Sequence, residues 1–180
     1  MNEKLIEKGI KYVLKGIGED IDREGLKETP KRVAKFYINF FKKNIKYKKT
    51  IFHCQYDEMV IVKNITFYSL CEHHLIPFFG KIAVGYIPDG KVLGLSKLIR
   101  IVKKHTSKLQ IQERLTQDIA NEIEKVIKPQ GVGVLVKAEH LCMSMRGVET
   151  PGHLTITSCM KGNFLINQKT REEFLKLSNE

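Results

Sequence analysis

The sequence predicts an α+β protein, and three observations carry that prediction. Apolar residues recur at helical spacing in the first forty residues and again between residues 109 and 127. Between and after those stretches lie runs rich in β-branched and aromatic residues, bounded by Pro, Gly and Asp. The third is a strict alternation from Val132 onward, in which Val132, Val134, Val136 and Ala138 share one face.

The helical elements come first. Leu5, Ile6, Ile10, Val13, Leu14 and Ile17 form one stripe, closed by Gly16 and Gly18. A second helix is expected at Thr29-Pro30, a capping hydroxyl followed by proline at the first helical position. Its stripe is Val33, Ala34, Tyr37, Phe40 and Phe41. Strand character begins near Met59 and continues through Ile65-Thr66-Phe67. Lys81 to Ile87 is a second β-rich run, and Pro88-Asp89-Gly90 before Lys91-Val92-Leu93 reads as a hairpin.

Ser96 is the expected cap of a further helix carrying Leu98, Ile99 and Val102, and a longer helix is expected from about Leu109 to Ile127. Pro129 to Gly131 stops it and leads into the valine strand. Continued as strand, that segment places His140 and Cys142 on the valine face. A last strand, about Leu154 to Lys161, precedes a C-terminal helix announced by Thr170 and Glu173 as a capping box.

Composition narrows the function classes. The chain is long enough, at 180 residues, to bury a core as one domain. No apolar run reaches the roughly 18 residues that a membrane span needs, and the charged start lacks a signal core, so a cytoplasmic location is expected. A net charge of +11 would attract phosphates, whether of a nucleic acid or of a small molecule, so charge alone does not choose. The densest basic run, Lys42 to Lys49, reads as a solvated edge or loop in preference to a nucleic-acid contact. Four dispersed cysteines, Cys54, Cys71, Cys142 and Cys159, make no disulfide framework, which turns attention to metal binding.

Two clusters hold the metal-capable groups. Cys71-Glu72-His73-His74 can present a thiolate and an imidazole to one ion if the chain turns between them. His140-Leu141-Cys142 can add to them, although either cluster read alone could be buried polar filling. With no C-x-x-C pair in the chain, two cysteines and one histidine suit an open, three-ligand site better than a closed structural one. Histidines not spent on metal, with His73 and His140 the candidates, suit proton transfer near neutral pH.

Three weaker patterns surround these clusters. Gly94, Ser96, Lys97 and Arg100 can bind an anion at a helix start, or can be an ordinary capped amphipathic helix. Glu113 beside Gln112 can accept from the N–H edge of a guanine, or can simply favour a helix start. Arg146 is a further cation just past Cys142.

The stretches TPKRVAKFY, CEHHLIPFFGKIAVGYIP, VLGLSKLIRIVKKH, LQIQERLTQDIA, GVGVLVKAEHLCMSMRGV, TSCMKGNF and KTREEFL resemble the type I GTP cyclohydrolase family in its order, from about Thr29 to Leu175. The resemblance implies Cys71, His74 and Cys142 as zinc ligands and His73 and His140 as proton carriers. It places Ser96, Lys97, Arg100 and Arg146 near ribose and triphosphate, with Ser96 assisting the rearrangement, and Arg32 in the phosphate region. Gln112 and Glu113, with backbone near Ile111, match guanine recognition.

The activity so implied is hydrolysis of GTP to 7,8-dihydroneopterin triphosphate and formate, the first step of pterin and tetrahydrofolate biosynthesis. In it a zinc-activated water adds at purine C8, the ring opens, and an Amadori-type rearrangement follows. The implied fold is the tunnelling fold: an antiparallel four-stranded sheet with two long helices on one face, over residues 51–180, after an N-terminal helical segment, 1–50. The implied assembly is a decamer of two pentamers with sites between subunits, and no nucleic acid or membrane partner. The Thr150-Pro151-Gly152-His153 loop departs from the family pattern, and Cys54 and Cys159 read as small buried hydrophobes. Rival readings are another pterin- or deazaguanine-pathway enzyme of the same fold and a basic zinc protein that binds nucleic acid.

Overall fold

The computed structural model describes residues 1–41 and 50–179, so the basic run Lys42 to Lys49 lies outside the described residues. The chain divides into two compact units, Met1–Asn44 and Ile45–Glu180.

The N-terminal unit pairs α1 (Glu3–Gly16) with α2 (Thr29–Phe41). Asn2 caps α1 by accepting the Leu5 N–H at 3.0 Å, and Gly18, at φ 84°, ends it in the left-handed conformation that favours glycine. Thr29 does begin α2, but its hydroxyl donates back to the Gly25 carbonyl at 3.3 Å rather than capping a helical N–H. The helix buries Pro30, Ala34 and Ile38.

The second unit is built on a sheet in the order β5-β2-β3-β6-β7. Four strands are long: β2 (Val60–Cys71), β3 (Pro77–Ile87), β6 (Gly131–His140) and β7 (Thr155–Gly162), each antiparallel to its long neighbours. The fifth, β5 (Leu109–Gln110), is a two-residue parallel addition at the end of β2. It occupies the start of the segment in which one long helix is expected, so α4 runs only from Gln112 to Ile127.

The expected hairpin at Pro88–Gly90 does not form. β4 (Lys91–Leu93) pairs with β1 (Ile51–His53) in a separate two-stranded sheet. The reason is occupancy, because β3 already hydrogen-bonds β2 on one side and β6 on the other, which leaves it no free edge. The next helix, α3 (Leu95–Thr106), takes Gly94 as its N-cap without a side-chain cap, and Ser96 sits inside the first turn.

Helices α3 and α4 cover one face of the sheet. Ile65, Phe67, Phe78, Ile82, Val84, Val132, Val134 and Val136 meet Leu98, Ile101, Val102, Leu115, Ile119 and Ile123 in the main core. The other face carries a smaller core, in which α6 (Asn163–Ile166) and α7 (Gln168–Asn179) bring Phe164 and Phe174 against Ala83 and Leu135. The α7 cap is Asn167, which accepts from Thr170 N at 3.2 Å, so the helix starts before the expected capping box.

Two glycines create the seat for these rings. A Cβ on Gly133 would lie 2.6 Å from Phe164 and 3.1 Å from Phe174, and one on Gly85 would lie 2.8 Å from Phe174. Gly133→Ala is therefore expected to destabilise the fold by about 1–3 kcal/mol through overpacking. A thermal melt checks this, and an unchanged Tm would mean that Phe164 can yield without cost.

Candidate active site

The hairpin turn from β2 into β3 forms the first half of the site. Cys71 N donates to the Ile76 carbonyl at 2.9 Å, and Leu75 N donates back to the Cys71 carbonyl at 2.8 Å. Leu75 adopts φ 57°, in the left-handed region, which tightens the turn. That curl returns His74 to Cys71, with Nδ1 at 3.5 Å from Sγ.

The third group arrives from β6 by a different route from the one the alternation predicts. The strand stops at His140, and the short helix α5 (Leu141–Ser144) follows. Cys142 is thus delivered by a helical turn. One donor atom each from Cys71, His74 and Cys142 lies within 4.8 Å of the others.

The donor set fits zinc. Zinc–sulfur and zinc–nitrogen bonds of about 2.3 and 2.0 Å at a tetrahedral angle separate the two donors by roughly 3.5 Å, which is the Cys71–His74 spacing. Burial, and then the neighbouring Cys71 sulfur, push the Cys142 thiol up, and the two sulfur donors lie close together. Three protein donors leave a tetrahedral ion one position for a non-protein ligand.

The turn is also clamped from outside. Arg114 donates through Nη1 and Nη2 to the Glu72 carboxylate, through Nε to Gln110 Oε1 at 2.8 Å, and to the Leu109 carbonyl at 3.3 Å. The guanidinium holds the Glu72 carboxyl below the usual carboxylate range. His73 is exposed, with Nδ1 3.9 Å from Cys71 Sγ and Nε2 4.0 Å from Glu72.

His140 is held on two sides. Its ring stacks on Phe78 at a centroid distance of 4.6 Å and 4° between planes, and its Nε2 lies 2.7 Å from Gln112 Oε1. The His153 ring lies 6.4 Å away. Burial first, and then His153, hold the His140 imidazole below its ordinary range, against the pull of Glu113.

The structure therefore gathers Cys71, His73, His74, His140, Cys142, Gln112 and Glu113 at one end of the sheet. Ile111, the N-cap of α4, belongs to the same end, as does exposed Arg146, whose charge reaches Cys142. Ser96 and Lys97, in the first turn of α3, belong to the other end, and Arg100 lies midway along that helix. Leu93 N, just before α3, donates to Tyr86 Oη at 3.0 Å. Tyr86 lies eight residues along β3 from Phe78, about 26 Å at a strand rise of about 3.3 Å per residue. Arg32 is exposed on α2 in the N-terminal unit.

Sequence reasoning missed Phe78, Arg114 and His153 as members of this site. Phe78 becomes visible only through register, as the cross-strand partner of His140. Arg114 adjoins the Gln112-Glu113 pair, so an arginine one turn into a helix opposite an acidic metal loop was the available signal.

Comparison with known proteins matches this chain over nearly its whole length. The family model for GTP cyclohydrolase I matches residues 6–179. The GTP cyclohydrolase 1 of Hydrogenobaculum sp. is 57% identical over 176 residues, which cover 97% of this chain and 96% of that protein. That of Aquifex aeolicus is 56% identical over 178 residues, covering 98% and 97%. That of Saccharomyces cerevisiae is 50% identical over 178 residues, covering 96% and 73%. A match of that extent spans both the metal end of the sheet and the start of α3, and the chain belongs to the GTP cyclohydrolase I family.

Proposed function

We propose that this chain converts GTP and water to 7,8-dihydroneopterin triphosphate and formate. The observation that carries the reading is the convergence of Cys71, His74 and Cys142 beside a half-buried His140 held by Gln112. In the family's terms the four long antiparallel strands, with α3 and α4 on one face, are the tunnelling fold.

Cys71, His74 and Cys142 would hold zinc, which when bound supplies Lewis acidity that makes water nucleophilic at neutral pH. Neutral His140 accepts and returns protons as the imidazole ring of the purine opens at C8, with exposed His73 as the second carrier. Glu113, exposed at the α4 start, accepts from the N–H edge of the guanine. Lys97, Arg100, Arg146 and Arg32 supply positive charge for the triphosphate, and the Ser96 hydroxyl assists the rearrangement that follows formate release.

The two ends of the sheet cannot serve one substrate within one chain. The separation of about 26 Å along β3 supports a homo-oligomer in which the α3 start of one copy meets the metal end of another. A decamer of two rings is the assembly that the family likeness implies. The outer edge of β7, which no described strand covers, is suited to such pairing.

Three outcomes are expected. His140→Ala should lower the rate of both formate release and pterin formation by about 10²- to 10⁴-fold, the range for losing an acid–base group. Glu113→Gln should raise KM for GTP by about 10- to 100-fold, since a charged acceptor is replaced by one that also presents donors. Removing metal with a chelator, or Cys142→Ser, should abolish both products. Metal analysis of the same samples should show the zinc lost, and full activity in zinc-free protein would overturn the metal assignment.

A further inference from the structure

Gln112 is placed by family likeness among the residues that read the guanine, yet its surroundings assign it different work. Its side chain is 2% exposed, whereas Glu113 next to it is open to solvent. Every polar atom of its amide is already engaged. Nε2 faces the Val136 carbonyl at 3.2 Å, the Thr155 carbonyl at 3.0 Å and Thr157 Oγ1 at 3.2 Å, while Oε1 faces His140 Nε2 at 2.7 Å.

The direction of each of these hydrogen bonds follows from its neighbours. Carbonyl oxygens only accept, so the amide group facing Val136 and Thr155 is the NH2 and the atom facing His140 is the oxygen. Thr116 donates its hydroxyl proton to the Gln112 carbonyl at 2.7 Å. Thr157, 2.6 Å from the same Thr116 oxygen, must therefore be the donor in that pair, which leaves Thr157 Oγ1 to accept from the Gln112 NH2. The chain closes with no donor facing a donor. An amide oxygen can only accept, so His140 carries its proton on Nε2.

Resting on the cyclohydrolase reading, we propose that Gln112 is a positioning residue for His140 and not a contact to the base. It anchors the ring edge across β6 and β7, selects the Nε2–H tautomer and leaves Nδ1 as the one lone pair of the imidazole. Phe78 fixes the ring plane by stacking, and Gln112 fixes rotation within that plane. Glu113 is then left as the side chain of the pair that is free to meet guanine.

The test compares Gln112→Ala with the wild-type, zinc-loaded protein. The proposal expects kcat for formate release to fall by about 10- to 100-fold, as for loss of a partner that orients a functional imidazole, with KM for GTP within about twofold. Gln112→Ala combined with His140→Ala should fall no further than His140→Ala alone. A rise in KM at unchanged kcat would overturn the proposal and restore the base contact. Nitrogen-15 NMR of histidine-labelled wild-type protein gives a reading that needs no variant to fold. His140 protonated at Nε2 supports the proposal, and protonation at Nδ1 overturns it. Wild-type protein that makes neither formate nor pterin would sink the cyclohydrolase reading, while the NMR result would still decide what Gln112 does.

Discussion

The site depends on the ladder between β3 and β6, whose register sets Phe78 opposite His140. Ten residue pairs from Phe78–His140 to Ile87–Gly131 are locked in that register, and the valines of β6 are buried against α3 and α4 throughout it. A slip of one residue would send every β6 side chain to the opposite face and carry His140 away from the metal turn. The core therefore holds the geometry of the candidate site: the burial that opposes slippage in the middle of the ladder positions a histidine at its end. The glycines that seat Phe164 and Phe174 on the other face belong to the same two strands.

At that end the polar groups are arranged so that few are left to choose their partners. Arg114 ties the metal turn to β5 and to the start of α4, and Gln112 ties α4 to β6 and β7. The first residues of α4 thus touch both halves of the site, one through Glu72 and the other through His140. Among the buried polar residues, Gln110 and Gln112 are fully paired, as the desolvation cost of an unpaired amide requires. Burial is the first cause of both shifts here, lowering the His140 imidazole and raising the Cys142 thiol, since each opposes charge.

The separation of the candidate groups along the sheet has a structural origin. Helix α3 starts where β3 ends and runs back toward the turn that holds Cys71 and His74, so its two ends lie toward opposite ends of the sheet. A chain organised this way presents Cys71, His74, Cys142 and His140 at one end of the sheet and the start of α3 at the other. The outer edge of β7, which no described strand covers, is of the kind that invites pairing with another strand.

Much of this was legible in the residues themselves. Periodicity located α1, α2, α4 and the long strands, because amphipathic burial is written at a spacing of 3.6 or 2 residues. The metal-capable types, Cys71, His74, Cys142 and the nearby His140, stood out because few other side chains offer soft donors. What the chain alone left open were pairings set at a distance: β4 with β1 instead of β3, the break at Gln110 before α4, and the helical turn that delivers Cys142. The partners of Gln112 and the stacking of Phe78 on His140 belong to the same group. Local sequence determined which groups were available and which faces would be buried. Tertiary structure decided which of them met, because strand-edge occupancy and hydrogen-bond direction depend on neighbours from 24 to more than 60 residues away.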